Sequence, residues 1–186
     1  RQRRYERLLY SQFRREIRAL NLGGEYLEMG AGSGFLAAML AEDTSVRSIT
    51  AVDISADDVA VANEYVRQAG LEKRIRCLVG DVQDEDLMRG LGRFDLVYST
   101  LSLHHWRDPA GAVGSLWSGG KEGGALYICD FRRVWWARFL RFKGKGVHFE
   151  GSFTPAMVGA IFREQGIANF RIRTRFFILQ SVTAWK

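Results

Sequence analysis

Apolar positions along this chain switch between two periods. From residue 2 to 20 they recur every three to four residues, at Tyr5, Leu8, Leu9, Phe13, Ile17 and Leu20, the spacing of one helical face. From residue 24 onward, short apolar runs alternate with further helical patterns, as buried strands and their connecting helices do. The pattern predicts helix 2–20, strand 24–29, helix 33–42, strand 47–53, helix 56–69, strand 74–79, a helical turn near 84–89 and strand 94–99. Helix 109–118, strand 124–130, helices 133–142 and 155–165, and strands 168–174 and 176–185 complete it. Local chemistry supports several boundaries. Ser55 is an N-cap for 56–69, Gly123-Gly124 a turn, and Thr154-Pro155 an N-cap followed by proline at the first helical position. Strands alternating with helices and closing on an antiparallel pair predict an α/β fold. Its doubly wound, seven-stranded, mostly parallel sheet carries helices on both faces.

The densest chemistry lies in LEMGAGSGFL, residues 27–36. Glu28 is followed by glycines at every second place, Gly30, Gly32 and Gly34, and then by the helical pattern of Phe35, Leu36, Met39 and Leu40. Strand, glycine turn and helix N-terminus form a binding corner, where a ligand can approach the main chain. A dinucleotide fingerprint from Gly30 needs a third glycine where Phe35 stands, and a phosphate-binding loop needs a lysine that is absent. Glu28 also adds negative charge beside any pyrophosphate, whereas a ligand with an ammonium and a sulfonium suits it. E-x-G-x-G-x-G resembles motif I of class I S-adenosylmethionine-dependent methyltransferases, which implies a Rossmann-like fold and that cofactor. A ligand-free strand–turn–helix is the competing reading of the motif alone.

The next strand ends extend the resemblance. RSITAVDI (47–54) ends on Asp53, ~20 residues after the loop, where an acid can accept both ribose hydroxyls. The resemblance gives Asp53 that role and lays Ile54 against the adenine. RIRCLVGDV (74–82) ends on Asp81, which the resemblance assigns to the adenine amino group, with Val82 packed on the ring. Gly30, Asp53, Asp81 and Ser99 thus converge at the carboxyl ends of consecutive strands. FDLVYSTLSLHHWRDP (94–109) contains His104, His105, Asp108 and Pro109 in a turn similar to that of the small-molecule branch of the family. The resemblance runs from about residue 23 to 130.

Composition narrows the class without naming it. The chain has 186 residues, 47% of them hydrophobic, as a single globular domain would. Residues 1–22 form its amphipathic N-terminal helix and 131–153 a substrate-side insertion or lid. No run of 18 uncharged apolar residues exists, so no membrane span is expected, and the N-terminus lacks the apolar centre of a signal peptide. Cys77 and Cys129 fall in predicted strands and read as small core residues, which suits a cytoplasmic protein. Three histidines and two cysteines show no metal-ligand spacing.

The net charge of +6 and pI near 9.6 draw attention to DFRRVWWARFLRFKGKGVHFE, residues 130–150. Four readings stand open for it: a helix packed on the sheet, a pocket wall for a bulky apolar or anionic substrate, a surface lying on anionic lipid, and a nucleic-acid contact through 132–145. Its position after strand 124–130 makes Asp130, Arg132, Trp135 and Trp136 substrate candidates, together with His105; Asp130 and Arg132 alternatively pair with each other. STLS follows strand 94–99 where amino-methylating nucleic-acid enzymes carry an Asn/Asp-Pro-Pro-aromatic signature. A small-molecule substrate is therefore expected, with RNA, DNA or protein methylation and a non-catalytic cofactor-binding module as the alternatives. Any general base would be His104 or, second, His148, since histidine titrates near neutral pH. Structural roles in the turn compete with catalysis for His104 and His105.

Overall fold

The computed structural model describes residues 2–134, 151–175 and 178–186, with side chains from Leu8 onward. Seven strands form one sheet in the order β3-β2-β1-β4-β5-β7-β6. They are β1 (Gly24–Met29), β2 (Val46–Asp53), β3 (Ile75–Val79), β4 (Phe94–Thr100), β5 (Gly120–Phe131), β6 (Phe170–Arg175) and β7 (Leu179–Trp185). β1 to β5 run parallel, while β7 pairs antiparallel with both β5 and β6. The described helices are α1 (Gln2–Arg18), α2 (Phe35–Ala41), α3 (Ala56–Gln68), α4 (Glu85–Leu91), α5 (Pro109–Ser118) and α6 (Pro155–Glu164). The predicted doubly wound sheet with an antiparallel end is the observed one.

Two apolar layers hold the sheet. One packs Phe13 and Ile17 of α1, with Leu36, Leu40 and Val66 of α2 and α3, over Tyr98, Tyr127, Cys129 and Leu179. The other packs Met88, Val113, Leu116, Val158 and Phe162 of α4, α5 and α6 over Leu27, Val97, Ile128 and Val182. β4 is buried along nearly its whole length, which explains its continuous apolar run: a central parallel strand has no solvent face. The predicted caps form. Ser55 Oγ accepts from Asp58 N at 3.2 Å and Thr154 Oγ1 from Met157 N at 3.2 Å. Cys77 and Cys129 are both free thiols.

Four expectations need correction. β5 starts at Gly120, not 124. Its register jumps between the Phe94↔Gly120 and Leu96↔Ala125 pairs, and Gly123, at φ 76°, lies inside the strand. Helix 33–42 is shortened to Phe35–Ala41 because Gly34 takes a left-handed conformation at its N-cap. Leu8 does not join the buried face of α1; it is 71% exposed. Helix 133–142 does not begin where the pattern placed it. Arg132 bridges Phe153 and Arg133 N donates to Phe153 O at 2.9 Å, so the chain leaves β5 extended. Trp135, Trp136 and His148 lie outside the described residues.

Candidate functional site

The sheet order reverses between β1 and β4, and a cleft opens above that switch point, as the geometry of doubly wound sheets requires. It encloses about 440 Å³ and is lined by Glu28, Gly30, Gly32, Asp53, Ile54, Asp81, Val82 and His105 among others. Those eight are predicted site residues drawn from four separate segments of the chain. Of the remaining described candidates, Gly34, Ser99, His104, Asp130 and Arg132 do not line the cleft.

The glycine loop is built by backbone. Gly30 N and Ala31 N donate to Val52 O at 2.8 and 3.1 Å, tying the end of β1 to β2. Gly30 has φ 75°, and a Cβ there would sit 2.0 Å from Ser102 Oγ, so both conformation and space exclude a side chain. Gly32 N donates to Asp53 Oδ2 at 2.7 Å, and Ser55 N to Asp53 Oδ1 at 3.0 Å. One carboxylate thus clamps the loop and the start of α3 while retaining further lone pairs for a ligand. At the third strand end, Gln83 N donates to Asp81 Oδ1 at 2.9 Å. Ile54 is 67% exposed beside the cleft, an apolar surface in need of a partner.

Glu28 is 2% exposed. It stands opposite Tyr98 in the β1–β4 register, and Tyr98 Oη donates to its Oε2 at 3.1 Å. Burial pushes its pKa up to about 8 against these hydrogen bonds, and the nearby Asp53 charge adds to the rise. The lining carries four carboxyl groups, Glu28, Asp53, Asp58 and Asp81, and one guanidinium, Arg107. Such a wall suits a ligand with a cationic end and hydroxyl donors. S-adenosylmethionine has both, a charged amino-acid end and a ribose with two hydroxyls.

His104 and Asp130 form a second feature, joined to the cleft through the neighbouring His105. His104 Nδ1 lies 2.7 Å from Asp130 Oδ1, and His104 N donates to Asp130 Oδ2 at 2.8 Å. The two side chains are 5% and 2% exposed. The His104 ring lies against that of His105, tilted by 43° with centroids 3.9 Å apart, and meets Phe131 edge-on at 5.5 Å. Asp130 therefore pairs with His104 and not with Arg132, whose Nη1 donates to Thr174 Oγ1 at 3.2 Å. Ser99 is fully buried beneath the loop, and Gly34 packs α2 against Ala62 of α3.

Sequence reasoning missed Tyr10, Thr100, Leu101, Ser102, Trp106 and Arg107, all of which line the cleft. Trp106 and Arg107 sit inside the recognised LHHWRDP stretch, so the signal was present. Tyr10 was legible only as an aromatic off the apolar stripe of α1. Leu101 adopts φ 58°, uncommon for a residue with a side chain, and no local sequence cue marks it.

The geometry agrees with what the chain is similar to. The methyltransferase domain family matches residues 27–128, more than half the chain. An uncharacterized protein of Synechococcus is 35% identical over 108 residues, covering 58% of this chain and 25% of the relative. A ubiquinone biosynthesis O-methyltransferase of Pseudomonas aeruginosa is 27% identical over 155 residues, covering 78% of this chain and 65% of the relative. The chain thus spans less than two-thirds of either relative. Two crystal structures share the fold. A SAM-dependent methyltransferase of Aquifex aeolicus has TM-score 0.73 at 21% identity, over 91% of this chain and 87% of its own. A putative S-adenosyl-L-methionine-dependent methyltransferase of Methanococcus maripaludis has TM-score 0.74 at 22% identity, over 95% and 85%. With its glycine loop, its ordered strand-end acids and its sheet, the chain belongs to the class I S-adenosylmethionine-dependent methyltransferases.

Proposed function

We propose that this chain methylates a small molecule carrying a protonated acceptor, such as a hydroxyl, and that His104 held by Asp130 takes the acceptor's proton. The observation that carries this reading is the buried His104–Asp130 pair beside the cofactor cleft. A carboxylate can only accept, so Asp130 holds the proton of His104 on Nδ1 and leaves Nε2 as the basic nitrogen. The backbone bond from His104 N to the same carboxylate fixes the turn as well as the ring. When bound, S-adenosylmethionine supplies a methyl group already activated by positive sulfur. As the methyl group is transferred, His104 Nε2 would take the acceptor's proton. Most of the acceleration would come from alignment, with the glycine loop, Asp53 and Asp81 holding one reactant and His105 lying beside the other.

The relative that acts in ubiquinone biosynthesis supports an aromatic hydroxyl as the first acceptor to try. The test incubates the protein with S-adenosylmethionine and a panel of catechols and substituted phenols, reading S-adenosylhomocysteine by mass spectrometry. Turnover is expected, with Asp130→Asn lowering kcat about 10²–10⁴-fold while cofactor affinity holds. Cofactor binding with no turnover on any acceptor would favour a binding module instead.

A further inference from the structure

The positive charge of this chain is not spread evenly. Residues 1–20 hold seven arginines against two glutamates, and residues 165–186 hold three arginines and a lysine with no acid, while residues 21–164 are net negative. The fold brings these two terminal segments together. A cleft of about 640 Å³, larger than the cofactor cleft, runs between α1 and the β6–β7 hairpin. One wall is α1 with Arg15; the other is the face of β6 carrying Arg171, Arg173 and Arg175 at alternate positions, with Ser181 and Thr183 of β7 behind them.

Among the described residues, the only carboxyl group in its lining is already engaged. Glu16 accepts from Arg175 Nε, from Gln12 Nε2 at 2.8 Å and from Tyr127 Oη at 3.1 Å. Burial raises its pKa, but the hydrogen bonds from Gln12, Arg175 and Ser181 outweigh this and hold it below the usual range, so it stays ionised. It neutralises Arg175. Arg171 and Arg173 are exposed and have no carboxylate partner among the described residues. Arg15 donates to the neutral Gln12 at 2.6 Å and has no carboxylate partner among the described residues. Three uncompensated guanidiniums therefore converge on one concavity of ligand size. Arginines on an edge strand also deter edge-to-edge pairing, but that task needs no fourth arginine from a helix at the other end of the chain, and no cleft.

We propose that this cleft binds a linear polyphosphate group, free or as part of a small nucleotide, separately from the cofactor. Guanidinium forks match phosphate oxygens and remain charged at every physiological pH. Two residues along a strand separate Arg171 from Arg173 by about 6.7 Å, so neighbouring phosphates can be gripped from one side while Arg15 closes the other. Trp185, 36% exposed at the end of the cleft, offers a ring beside the anion. The concave, walled shape favours a small multivalent anion over a flat protein surface.

The experiment titrates the full chain with sodium tripolyphosphate and with ATP by calorimetry, at two salt concentrations, beside an Arg171→Gln/Arg173→Gln variant. S-adenosylhomocysteine binding serves as the control for folding. Tripolyphosphate should bind the parent and weaken steeply with salt. The variant should lose about tenfold or more in affinity and bind S-adenosylhomocysteine as the parent does. ATP binding alongside tripolyphosphate assigns the nucleotide form; tripolyphosphate alone assigns the free anion. No tripolyphosphate binding, or equal binding by the variant, would overturn the proposal. So would arginine-dependent binding of a single-stranded RNA 20-mer with none of tripolyphosphate.

Discussion

Glu28 is an acid placed where its charge is costly until a cation arrives. Its pKa of about 8 stands above the 4.5 of an ordinary glutamate. The buried carboxyl therefore contributes fully to stability below about 4.5, and that contribution is lost as pH rises through about 8. A ligand with an ammonium beside it reverses the preference, so S-adenosylhomocysteine binding near pH 7 should release up to one proton. Calorimetry in two buffers of different ionisation enthalpy measures that release. In Glu28→Gln it should vanish, with affinity falling about tenfold or more; an unchanged proton count would place the titrating group elsewhere. The sequence shows an acid at 28, but its neutrality is a tertiary fact, set by burial at the centre of the sheet and by Tyr98 70 residues away. Ser99 and Ser102 show the same limit from the other side. Both follow the same apolar run, yet Ser99 is sealed inside, and the left-handed turn at Leu101 delivers Ser102 to the cleft. Strand periodicity carries no information about a break of that kind.

Among the elements, α1 does more than cap the fold. Its buried face, Phe13 and Ile17, packs on the sheet near Tyr127 and Cys129, while Tyr10 reaches the cofactor cleft and meets Phe13 and Phe35 edge-on, at 5.8 and 5.4 Å. Gln12, Arg15 and Glu16, a turn further on, wall the basic cleft. One helix thus contributes to the core and to two ligand-sized concavities. Phe13→Ala should cost about 3–5 kcal/mol, the usual range for deleting a buried phenyl, read as a fall in the urea midpoint with little change in slope. A loss under about 1 kcal/mol would mean that α1 is dispensable to the core. The helix itself was legible from its 3–4 spacing, as were the strands and the Ser55 and Thr154 caps, because those signals are local. The exit from β5 was not. Val134 is buried and the segment after it is rich in aromatics, which reads as a helical face, but the pairing of Arg132 and Arg133 with Phe153 is a long-range contact invisible to periodicity.

Over the whole molecule, the two concavities carry opposite charge. The acidic one lies at the switch point, where its lining comes from the ends of β1, β2, β3 and β4 and from α1. A ligand there bridges segments that are held together chiefly through the sheet, so its binding should stabilise the folded chain as a unit. Binding to the native state alone contributes RT ln(1 + [L]/Kd), about 2.7 kcal/mol at a hundredfold excess over Kd. For a chain of this length each kcal/mol raises Tm by about 2–4 °C. S-adenosylhomocysteine at that excess should therefore raise Tm by roughly 5–11 °C. NAD at the same concentration should leave Tm unmoved, since Phe35 replaces the third glycine of a dinucleotide fingerprint. Asp53→Ala should reduce the shift at fixed ligand concentration, because it removes a charged acceptor from the ligand and frees the Gly32 amide that shapes the loop. Its ligand-free Tm should also drop slightly, as the Ser55 amide loses its partner. Scanning calorimetry with each ligand, on both proteins, measures all four values. A shift with NAD equal to that with S-adenosylhomocysteine would make the cleft a general nucleotide site. An undiminished shift in Asp53→Ala would remove Asp53 from the ribose and leave it as a clamp for the loop alone.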